Sequence, residues 1–298
     1  MSAPGLTWNN SNLSLLQRCG EAYRRRVIEE DPDAPTPSLI RGSTVHAIAK
    51  VALRRKMGKT NAELPTVEEA RDLAADDFEQ RWDAQEVRLV EGDEEDGADA
   101  MSRAKADAKD FAVALSGYHV AELAPRLRPV AIERKIIVKP QDSDLQIHGT
   151  LDVITQPEPP AMLAPLPEAM AMLAARDTIR DLKTSAKSPS RDAADKSQQL
   201  SFYAMIRAAE VGALPEALAL DYLVRTPKRG DLKAIELATT RDAGDITALV
   251  ARLNTAVEAV KRGIFMPADP ATAWWCSETA CSYWTTCPYT RRSRRPTS

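Results

Sequence analysis

The sequence predicts an α/β protein with a mixed central sheet and a helical region in its first 125 residues. Apolar residues recur at helical spacing before residue 125, whereas segments 129–140, 145–155 and 178–184 have the length and composition of strands. These strands mostly adjoin one another in sequence, so hairpin links and antiparallel neighbours are expected in the sheet. We therefore expect the first helices to cover one side of that sheet.

The individual elements follow from local signals. Helices are predicted over 11–30, from a start at Gly42-Ser43-Thr44, and over 66–90, 98–124, 193–211 and 242–262. A hydroxyl in the Gly42-Ser43-Thr44 segment is expected to cap the second helix. Two further strands are predicted at 217–224 and 232–238, on either side of a turn. Five prolines at 156–176 predict an insertion with a short helix.

Three regions result from this order of elements. Residues 1–125 form an N-terminal helical region with Cys19 and His46, residues 126–265 form the sheet core, and residues 266–298 hold a cysteine-rich segment and a basic tail. No apolar run approaches the ~18 residues of a membrane span. The first residues also lack a basic-then-apolar signal pattern. We expect a soluble, intracellular protein in the cytoplasm that contacts no membrane.

The charges are unevenly distributed, although the net charge is only −3. Acidic residues concentrate at 91–99. Basic residues concentrate at 24–26, 54–56, 183–191, 225–233 and 291–295. One interpretation is an ordinary solvated surface. The other is a groove that follows phosphate groups, because several basic clusters flank strands that end in charged residues.

Two predicted strands, Gly149-Thr-Leu-Asp152 and Asp181-Leu-Lys183, end in charged side chains. Asp181 and Lys183 are two apart, so on a strand they point to the same face. Burying such charges is costly unless they serve each other or a ligand. Two carboxylates suit a hard cation such as Mg²⁺, and a lysine beside them suits the positioning of a water. The pattern favours metal-assisted hydrolysis of a phosphodiester.

The four cysteines form the second strong pattern. Cys276, Cys281 and Cys287 fall within twelve residues, whereas Cys19 is far away in the sequence. In an intracellular protein this spacing favours metal binding over disulfides. Four thiolates fit zinc or an iron–sulfur cluster. The alternative is that the three cysteines near the C-terminus are simply packed in a terminal turn beside aromatic residues.

Together these motifs resemble the PD-(D/E)xK nuclease superfamily, specifically its RecB-type branch. Four segments carry the resemblance: Gly42-Ser-Thr-Val-His46, Gly149-Thr-Leu-Asp152, Asp181-Leu-Lys183 and Gln199-Leu-Ser-Phe-Tyr203. Their order holds over residues 11–290. The resemblance implies a restriction-endonuclease-like sheet at 126–265, with the insertion 156–176 as an addition.

The resemblance also implies roles for single residues. His46, Asp152, Asp181 and the backbone carbonyl of Leu182 would hold Mg²⁺ or Mn²⁺. Lys183 would orient the attacking water, and Gln199 and Tyr203 would steady that lysine or touch a phosphate; these two share one helix face because they are four residues apart.

In the iron–sulfur members of this branch, an N-terminal cysteine and three C-terminal cysteines bind a 4Fe–4S cluster. Cys19, Cys276, Cys281 and Cys287 match that arrangement, with Gly20 in place of the usual proline and a longer gap between Cys276 and Cys281. Zinc is the weaker alternative. Such members include CRISPR adaptation nucleases, AddB-type nuclease domains and exonuclease V.

The function that the resemblance implies is a metal-dependent DNA exonuclease acting on single-stranded ends. Recombination, repair, phage replication and CRISPR adaptation are the expected settings, with a helicase, recombinase or annealing protein as partner. The alternative is a non-catalytic, DNA-binding or structural iron–sulfur or zinc subunit of a helicase–nuclease assembly. His119 and His148 belong to no motif, and for Glu133 we expect a surface or salt-bridge role, with an extra metal ligand or DNA contact as the alternative.

Overall fold

A computed structural model describes residues 7–57, 63–89, 97–140, 145–156, 176–226 and 230–290. Three predicted features lie wholly or largely outside these ranges: most of the acidic segment 91–99, the insertion 156–176 and the basic tail 291–295. Within the described residues, no helix is long and apolar enough to cross a membrane.

After one short strand, the elements follow the predicted order: a run of helices, three strands, one helix, two strands and a last helix. The strands are β1 (Thr7–Trp8), β2 (Pro129–Val138), β3 (Gln146–Thr155), β4 (Thr178–Ser185), β5 (Ala217–Arg225) and β6 (Leu232–Thr239). The helices are α1 (Asn10–Arg18), α2 (Gly20–Tyr23), α3 (Pro37–Lys56), α4 (Val67–Asp83), α5 (Gly97–Tyr118), α6 (Gln198–Val211) and α7 (Ala243–Lys261). Two π-helical turns, Arg24–Ile28 and His119–Leu123, and a 3₁₀ turn, Ala124–Arg126, complete the described helical structure.

The sheet is mixed, as predicted. Strand β3 pairs antiparallel with β2 along one edge. Its other edge is shared, because β1 pairs with residues 146–147 in parallel and β4 pairs with residues 153–155 antiparallel. Strand β5 is parallel to β4, and β6 is antiparallel to β5. The two-residue strand β1 is too short to carry a period-two pattern, so the sequence did not predict it.

Helices cover both faces of this sheet. On one face, α3, α4 and α5 bury Ile40, Phe78 and Leu115 in a cluster with Val153 of β3 and Leu182 of β4. The predicted wall over one side is thus confirmed for α3, α4 and α5, whereas α1 and α2 place Leu13 and Tyr23 in the cluster on the other face. On the other face, α6 and α7 contribute to a second cluster with the residues of β3, β4 and β5 that point away from the wall.

Helix α3 begins earlier than predicted. The predicted start at Gly42-Ser43-Thr44 is wrong, because the helix starts at Pro37 and these residues lie inside it. The side chain of Thr36 accepts a hydrogen bond from the N–H of Leu39, and proline is well suited to the first helical position because it has no N–H to leave unpaired. Sequence reasoning had assigned Pro37 to the preceding loop.

Helix α6 begins later than predicted. It starts at residue 198 rather than 193, with Ser197 as its cap, because residues 191–196 form turns. The first predicted helix, 11–30, is also interrupted. At Cys19 the backbone is extended (φ −164°, ψ 110°), so α1 ends there and α2 begins at Gly20.

Residues 18–31 and 265–290 touch directly, and we call this contact the terminal clasp. The N–H of Gly20 donates to the carbonyl of Met266 at 2.7 Å. A Cβ atom at Gly20 would lie 2.5 Å from the Met266 nitrogen, a steric clash that would force the backbone to move. Glycine suits this position because the bond needs an N–H and the contact leaves no room for a side chain.

Side chains reinforce the terminal clasp by bonding to backbone atoms. Arg25 donates to both the hydroxyl and the carbonyl of Thr286, at 2.7 and 3.0 Å. The hydroxyl of Tyr283 donates to the carbonyl of Asp31 at 2.7 Å. The two segments are therefore joined by direct hydrogen bonds across a separation of more than 250 residues.

Candidate active site

Three acidic side chains lie on three neighbouring strands at the same level of the sheet. In the antiparallel register of β2 and β3, Glu133 lies opposite Asp152, because the residues on either side of both are paired. Continuing the register of β3 and β4 by one step past Val153 and Arg180 places Asp152 opposite Asp181. The sheet thus aligns a row of three carboxylates.

The described backbone ladder between β3 and β4 ends just before the two aspartates. It joins residues 153–155 to residues 178–180. Beyond it, the N–H of Leu182 donates to Asp152 Oδ2 at 3.2 Å. A side-chain carboxylate therefore takes the place of the next ladder bond where the strands separate. We call this region, formed by Asp152, Asp181, Leu182 and Lys183, the β3–β4 seam.

A hydrogen-bond network joins the seam to helix α6. Lys183 Nζ lies 2.7 Å from Asp181 Oδ2 and donates to Gln199 Oε1 at 2.7 Å. Gln199 Nε2 donates to Asp181 Oδ1 at 2.8 Å and to the Tyr203 hydroxyl at 2.7 Å. The Tyr203 hydroxyl in turn donates to Asp181 Oδ1 at 3.4 Å. One amide thus holds the lysine and the aspartate in a fixed relation.

Helix α6 delivers these side chains because of where it begins and how closely it packs. Ser197 accepts a hydrogen bond from the N–H at the third helical position, so the helix starts just before Gln199. Tyr203 follows one turn later on the same face. A Cβ atom at Gly149 of β3 would lie 2.5 Å from Ile206 Cδ1. The glycine of the Gly149-Thr-Leu-Asp152 motif therefore lets α6 approach the sheet.

His46 reaches the seam from the N-terminal wall. On α3, its Nδ1 lies 3.4 Å from Asp152 Oδ2, and it also hydrogen-bonds the backbone of Leu182. Burial lowers the pKa of His46, so the imidazole is neutral near pH 7, which is its metal-binding form. One turn further along α3, Lys50 Nζ lies 3.8 Å from Glu133 Oε2.

The donor atoms of the seam fit a divalent cation. Asp181 Oδ2 is buried and accepts no hydrogen bond, although it faces the Lys183 ammonium. Burial, followed by the charge of Asp181, raises the pKa of Asp152 to about 7, although the charge of Lys183 opposes this rise. Nevertheless, within the described ranges no three His, Cys, Asp or Glu side chains form a group that could hold a metal ion. The chemistry of the ligands fits, whereas their donor atoms are not gathered into a complete set.

Glu133 is the site residue that sequence reasoning undervalued. It forms the ion pair with Lys50, as expected, but it also lines the same cavity as His46 and Asp152. Its backbone has φ 52°, a left-handed value that is rare for a side-chain-bearing residue inside a strand. Such strain is retained mainly where a function needs it. A lone glutamate in a strand gives no sequence signal for this conformation.

The four cysteines lie close enough to influence one another. Burial raises the pKa of Cys276, with the neighbouring Cys19, Cys281 and Cys287 adding to the effect, and burial also raises the pKa of Cys281. The N–H of Ala268 donates to Cys19 Sγ at 3.4 Å. The terminal clasp thus brings together thiols that are distant in sequence, but within the described ranges they too are not gathered into a metal-binding group.

Two histidines and one basic cluster lie outside the seam. His148 Nε2 lies 3.3 Å from Asn9 Nδ2 at the start of α1. His119 is buried in the wall, and burial lowers its pKa to about 4. In the cluster 24–26, Arg24 and Arg25 both pair with the buried Glu21, so these two arginines stabilise the clasp and do not line a groove.

Comparison with solved structures finds distant similarity. A candidate exonuclease from Eubacterium rectale is 12% identical, with 99% of this chain and 90% of that chain covered and a TM-score of 0.43. A protein named SSO0001 is 14% identical, with 81% of this chain and 94% of that chain covered and a TM-score of 0.30. No curated protein matches this chain in sequence.

The match to a family model is broader. The model described as the PD-(D/E)XK nuclease superfamily matches residues 7–163 and 173–288. These ranges contain the seam, the α6 network and the four cysteines. The match covers well over half of the sequence and is interrupted only within the insertion. The chain therefore belongs to the PD-(D/E)XK nuclease superfamily.

Proposed function

We propose that this protein is a metal-dependent DNA nuclease that hydrolyses phosphodiester bonds at the β3–β4 seam. The observation that carries the proposal is the pairing of two features. Carboxylates of neighbouring strands converge where the ladder ends, and Lys183 is held beside them by Asp181 and Gln199. A lysine fixed beside acidic metal ligands is suited to hydrolysis rather than to passive binding.

His46, Asp152, Asp181 and the Leu182 carbonyl would hold Mg²⁺ or Mn²⁺. Oxygen donors suit both ions, and the imidazole shifts the preference towards Mn²⁺. When bound, such an ion polarises the phosphodiester and lowers the pKa of a coordinated water. Glu133, aligned with both aspartates, would add a further carboxylate at the edge of the site.

Lys183 has the freedom to act on the reacting atoms. Two oxygens, from Asp181 and Gln199, lie 2.7 Å from its Nζ. An ammonium has three N–H donors, so at least one remains for a water or a phosphate oxygen. The side chain is 35% exposed, which gives it access to a substrate. Its charge would orient the water and offset the negative charge that develops on the phosphate in the transition state.

Gln199 and Tyr203 have positioning roles in this proposal. Gln199 bonds to the lysine, the aspartate and the tyrosine at once. Burial and the nearby aspartates raise the pKa of Tyr203, so its hydroxyl stays protonated and remains a donor. Together they hold Lys183 in place without taking part in proton transfer.

The decisive experiment is a digestion with matched variants. We expect the protein to degrade DNA with Mg²⁺ or Mn²⁺, while Asp181→Asn leaves the fold intact and removes activity. Asp72→Asn, an exposed aspartate on α4, is the control. Strands labelled at the 5′ or 3′ end, blunt duplexes and closed circles report the mode of attack. Cleavage without added metal, or activity of Asp181→Asn equal to that of the unsubstituted protein, would contradict the proposal.

Within that function, we propose end-dependent degradation of single-stranded DNA. The basic segments at 183–191 and 225–233 adjoin β4, β5 and β6, and an electrostatic groove there would follow a flexible backbone. Binding should then weaken steeply as salt rises. Efficient cutting of closed circles would contradict it. DNA binding without cleavage would instead favour a non-catalytic subunit of a helicase–nuclease assembly.

We further propose that Cys19, Cys276, Cys281 and Cys287 bind a 4Fe–4S cluster, with zinc as the alternative. The support is their mutual proximity across the terminal clasp. Protein purified without oxygen should be brown, with broad absorbance near 400 nm, and should contain about four iron atoms per chain. A colourless preparation with stoichiometric zinc would replace the cluster by a zinc site.

A further inference from the structure

A pocket lined by arginines lies at the end of the sheet, beside the candidate active site. Its volume is about 430 Å³. We call it the arginine pocket and define it by four side chains: Arg126, Arg128, Arg176 and Arg180. Thr155, Gln156 and Thr178 add polar groups, and Glu216 is the one acidic residue among its described lining residues.

The arginine pocket lies close to the active site. A smaller hollow lined by Arg126, Arg180 and Asp221 adjoins it. The cavity that contains His46 and Asp152 shares Leu127, Arg180 and Asp221 with that hollow. Arg180 and Leu127 therefore border all three spaces, which lie next to one another along the junction of wall and sheet.

The distance between the arginine pocket and the seam follows from strand geometry. Thr155 lines the arginine pocket and is three residues beyond Asp152 on β3. At about 3.3 Å per residue, the two lie about 10 Å apart along the strand. Phosphates of a stacked strand rise about 3.4 Å each along the helix axis, so the separation corresponds to about three nucleotides of a stacked strand and to fewer of an extended one.

The arginines differ in how firmly they are held. Arg180 is buried and bonds Asp221 and Glu236, so it forms the structural wall of the pocket. Arg126 and Arg176 are exposed, and each pairs with one carboxylate, Glu122 and Glu216 respectively, at 2.8 and 3.6 Å.

Exposed pairs of this kind contribute less than about 1 kcal/mol, so an incoming phosphate can replace the carboxylate partners of Arg126 and Arg176. A further cation lies at the rim. Lys56 donates to the carbonyls of Ala124 and Pro125, at 3.0 and 2.6 Å, within the turn that leads to Arg128. Burial, with the charge of Arg128, lowers the pKa of Lys56. The fold therefore gathers positive charges at this rim.

We propose that the arginine pocket is a second phosphate-binding subsite, which holds a backbone phosphate of the nucleic acid about three nucleotides from the bond that is cut. This inference rests on the proposed nuclease function for the nature of its ligand. Arginine suits the role because its planar group donates two parallel hydrogen bonds to a phosphate. The second contact fixes the direction of the strand across the seam.

The test compares variants that change this rim and leave the seam intact. Arg126→Gln/Arg176→Gln removes the two exposed charges whose carboxylate partners a phosphate can replace, and Arg126→Lys/Arg176→Lys keeps them. Arg252→Gln/Arg262→Gln, on the exposed side of α7 and just after it, is the matched control for net charge. Binding is measured with Asp181→Asn added to each variant, using single strands of two to eight nucleotides across a salt series.

We expect the affinity of the parent protein for single strands to rise abruptly at the strand length that first reaches the arginine pocket. We call this rise the length step. The glutamine variant should lose that step, and its salt slope should fall by about 0.7 for each lost contact. The lysine variant should keep the salt slope, and the α7 control should keep both. In active protein, the glutamine variant should raise KM about tenfold with little change in kcat.

The alternatives give different results. Loss of affinity in the α7 control equal to that in the glutamine variant would overturn the proposal, as would a binding curve without a length step in the parent. A step that requires a 5′-terminal phosphate would assign the pocket to a strand end instead of the backbone. If the parent shows the affinity step but never cleaves DNA, the phosphate-binding subsite is supported and the nuclease function is contradicted. If the parent cleaves DNA but shows no step, the nuclease function is supported and the subsite is contradicted.

Discussion

The β3–β4 seam and the terminal clasp both join distant parts of the chain, but they use different atoms. In the seam, charged and amide side chains bond to one another: Lys183 to Gln199, and Gln199 to Asp181. In the clasp, most bonds end on backbone atoms, such as the carbonyls of Met266 and Thr286. Side-chain contacts need particular residues at particular positions, whereas a carbonyl can belong to any residue.

The difference extends to what each region lacks. In the seam, Asp181 Oδ2 is buried and accepts no hydrogen bond within the described residues, although the Lys183 ammonium lies 2.7 Å away, so a bound cation would add a partner for it. The clasp is closed by direct hydrogen bonds whether or not the cysteines hold a cluster. We therefore expect the seam to govern activity with little effect on stability, and the clasp to do the opposite.

The largest effect should come from the centre of the seam. Asp181→Asn and Lys183→Met should each lower the rate of DNA cleavage by about 1000-fold or more, because in the proposed mechanism one removes a metal ligand and the other removes the water-orienting charge. Melting temperatures should change by only a few degrees. Digestion rates and thermal melts of both variants, with Asp72→Asn and Lys261→Met as surface controls, provide the check. Unfolding of either variant would contradict the expectation that the seam affects activity with little effect on stability.

The clasp should respond in the opposite way. Gly20→Ala forces a Cβ atom to within 2.6 Å of backbone atoms of residues 265 and 266, which should cost about 2–3 kcal/mol of folding free energy. Gly42→Ala is the matched control: its Cβ meets only Thr184 Oγ1 at 3.5 Å, and alanine favours the helix by about 1 kcal/mol. Calorimetry should show a lower melting temperature for Gly20→Ala alone. An unchanged melting temperature would mean that the clasp is not closed in solution.

Within the seam, the amide should matter more than the phenol. Gln199→Ala removes three hydrogen bonds and should reduce kcat by about 10- to 100-fold, since only Asp181 then holds Lys183. Tyr203→Phe removes only the hydroxyl, whose contact with Asp181 is 3.4 Å, and should cost a fewfold. Single-turnover rates at saturating metal separate the two variants. Equal losses would indicate that the hydroxyl touches the substrate.

The smallest effect concerns pH. Burial, then Asp181, raises the pKa of Asp152 to about 7, so below that pH a metal ion must displace a proton. Affinity for Mn²⁺ should rise by at most about tenfold per pH unit up to about pH 7, and then level off.

Without metal, ionising Asp152 destabilises the fold, because its folded pKa lies above the unfolded value near ~4. This loss should develop as pH rises from about 4 to about 7. Calorimetric proton counting at about pH 6 and about pH 8 tests the metal linkage. Proton release that is independent of pH would refute it.

The sequence predicted the fold class and the residues that share a strand or helix face because these depend on regular spacing, whereas the roles of His46, Gln199 and Tyr203 came from the family resemblance. The spacing of Asp181 and Lys183, and of Gln199 and Tyr203, translates directly into a shared strand or helix face. It did not predict β1, the start of α3 or the backbone contacts of the clasp. A two-residue strand is too short to show a periodic pattern. Every residue has a backbone carbonyl, so the sequence does not indicate that the carbonyl of Met266 accepts a hydrogen bond.

Glu133 shows the limit of sequence reasoning most clearly, since nothing in its local sequence indicates its left-handed backbone. That conformation has an evolutionary consequence. Held at φ 52°, a residue with a side chain costs about 1–3 kcal/mol, which glycine at the same position would recover. Heat selection alone should favour Glu133→Gly, whereas selection for DNA degradation should restore the glutamate. Selection for stability and selection for activity thus act in opposite directions at this strand position. Measuring the melting temperature and the DNA cleavage rate of Glu133→Gly tests this.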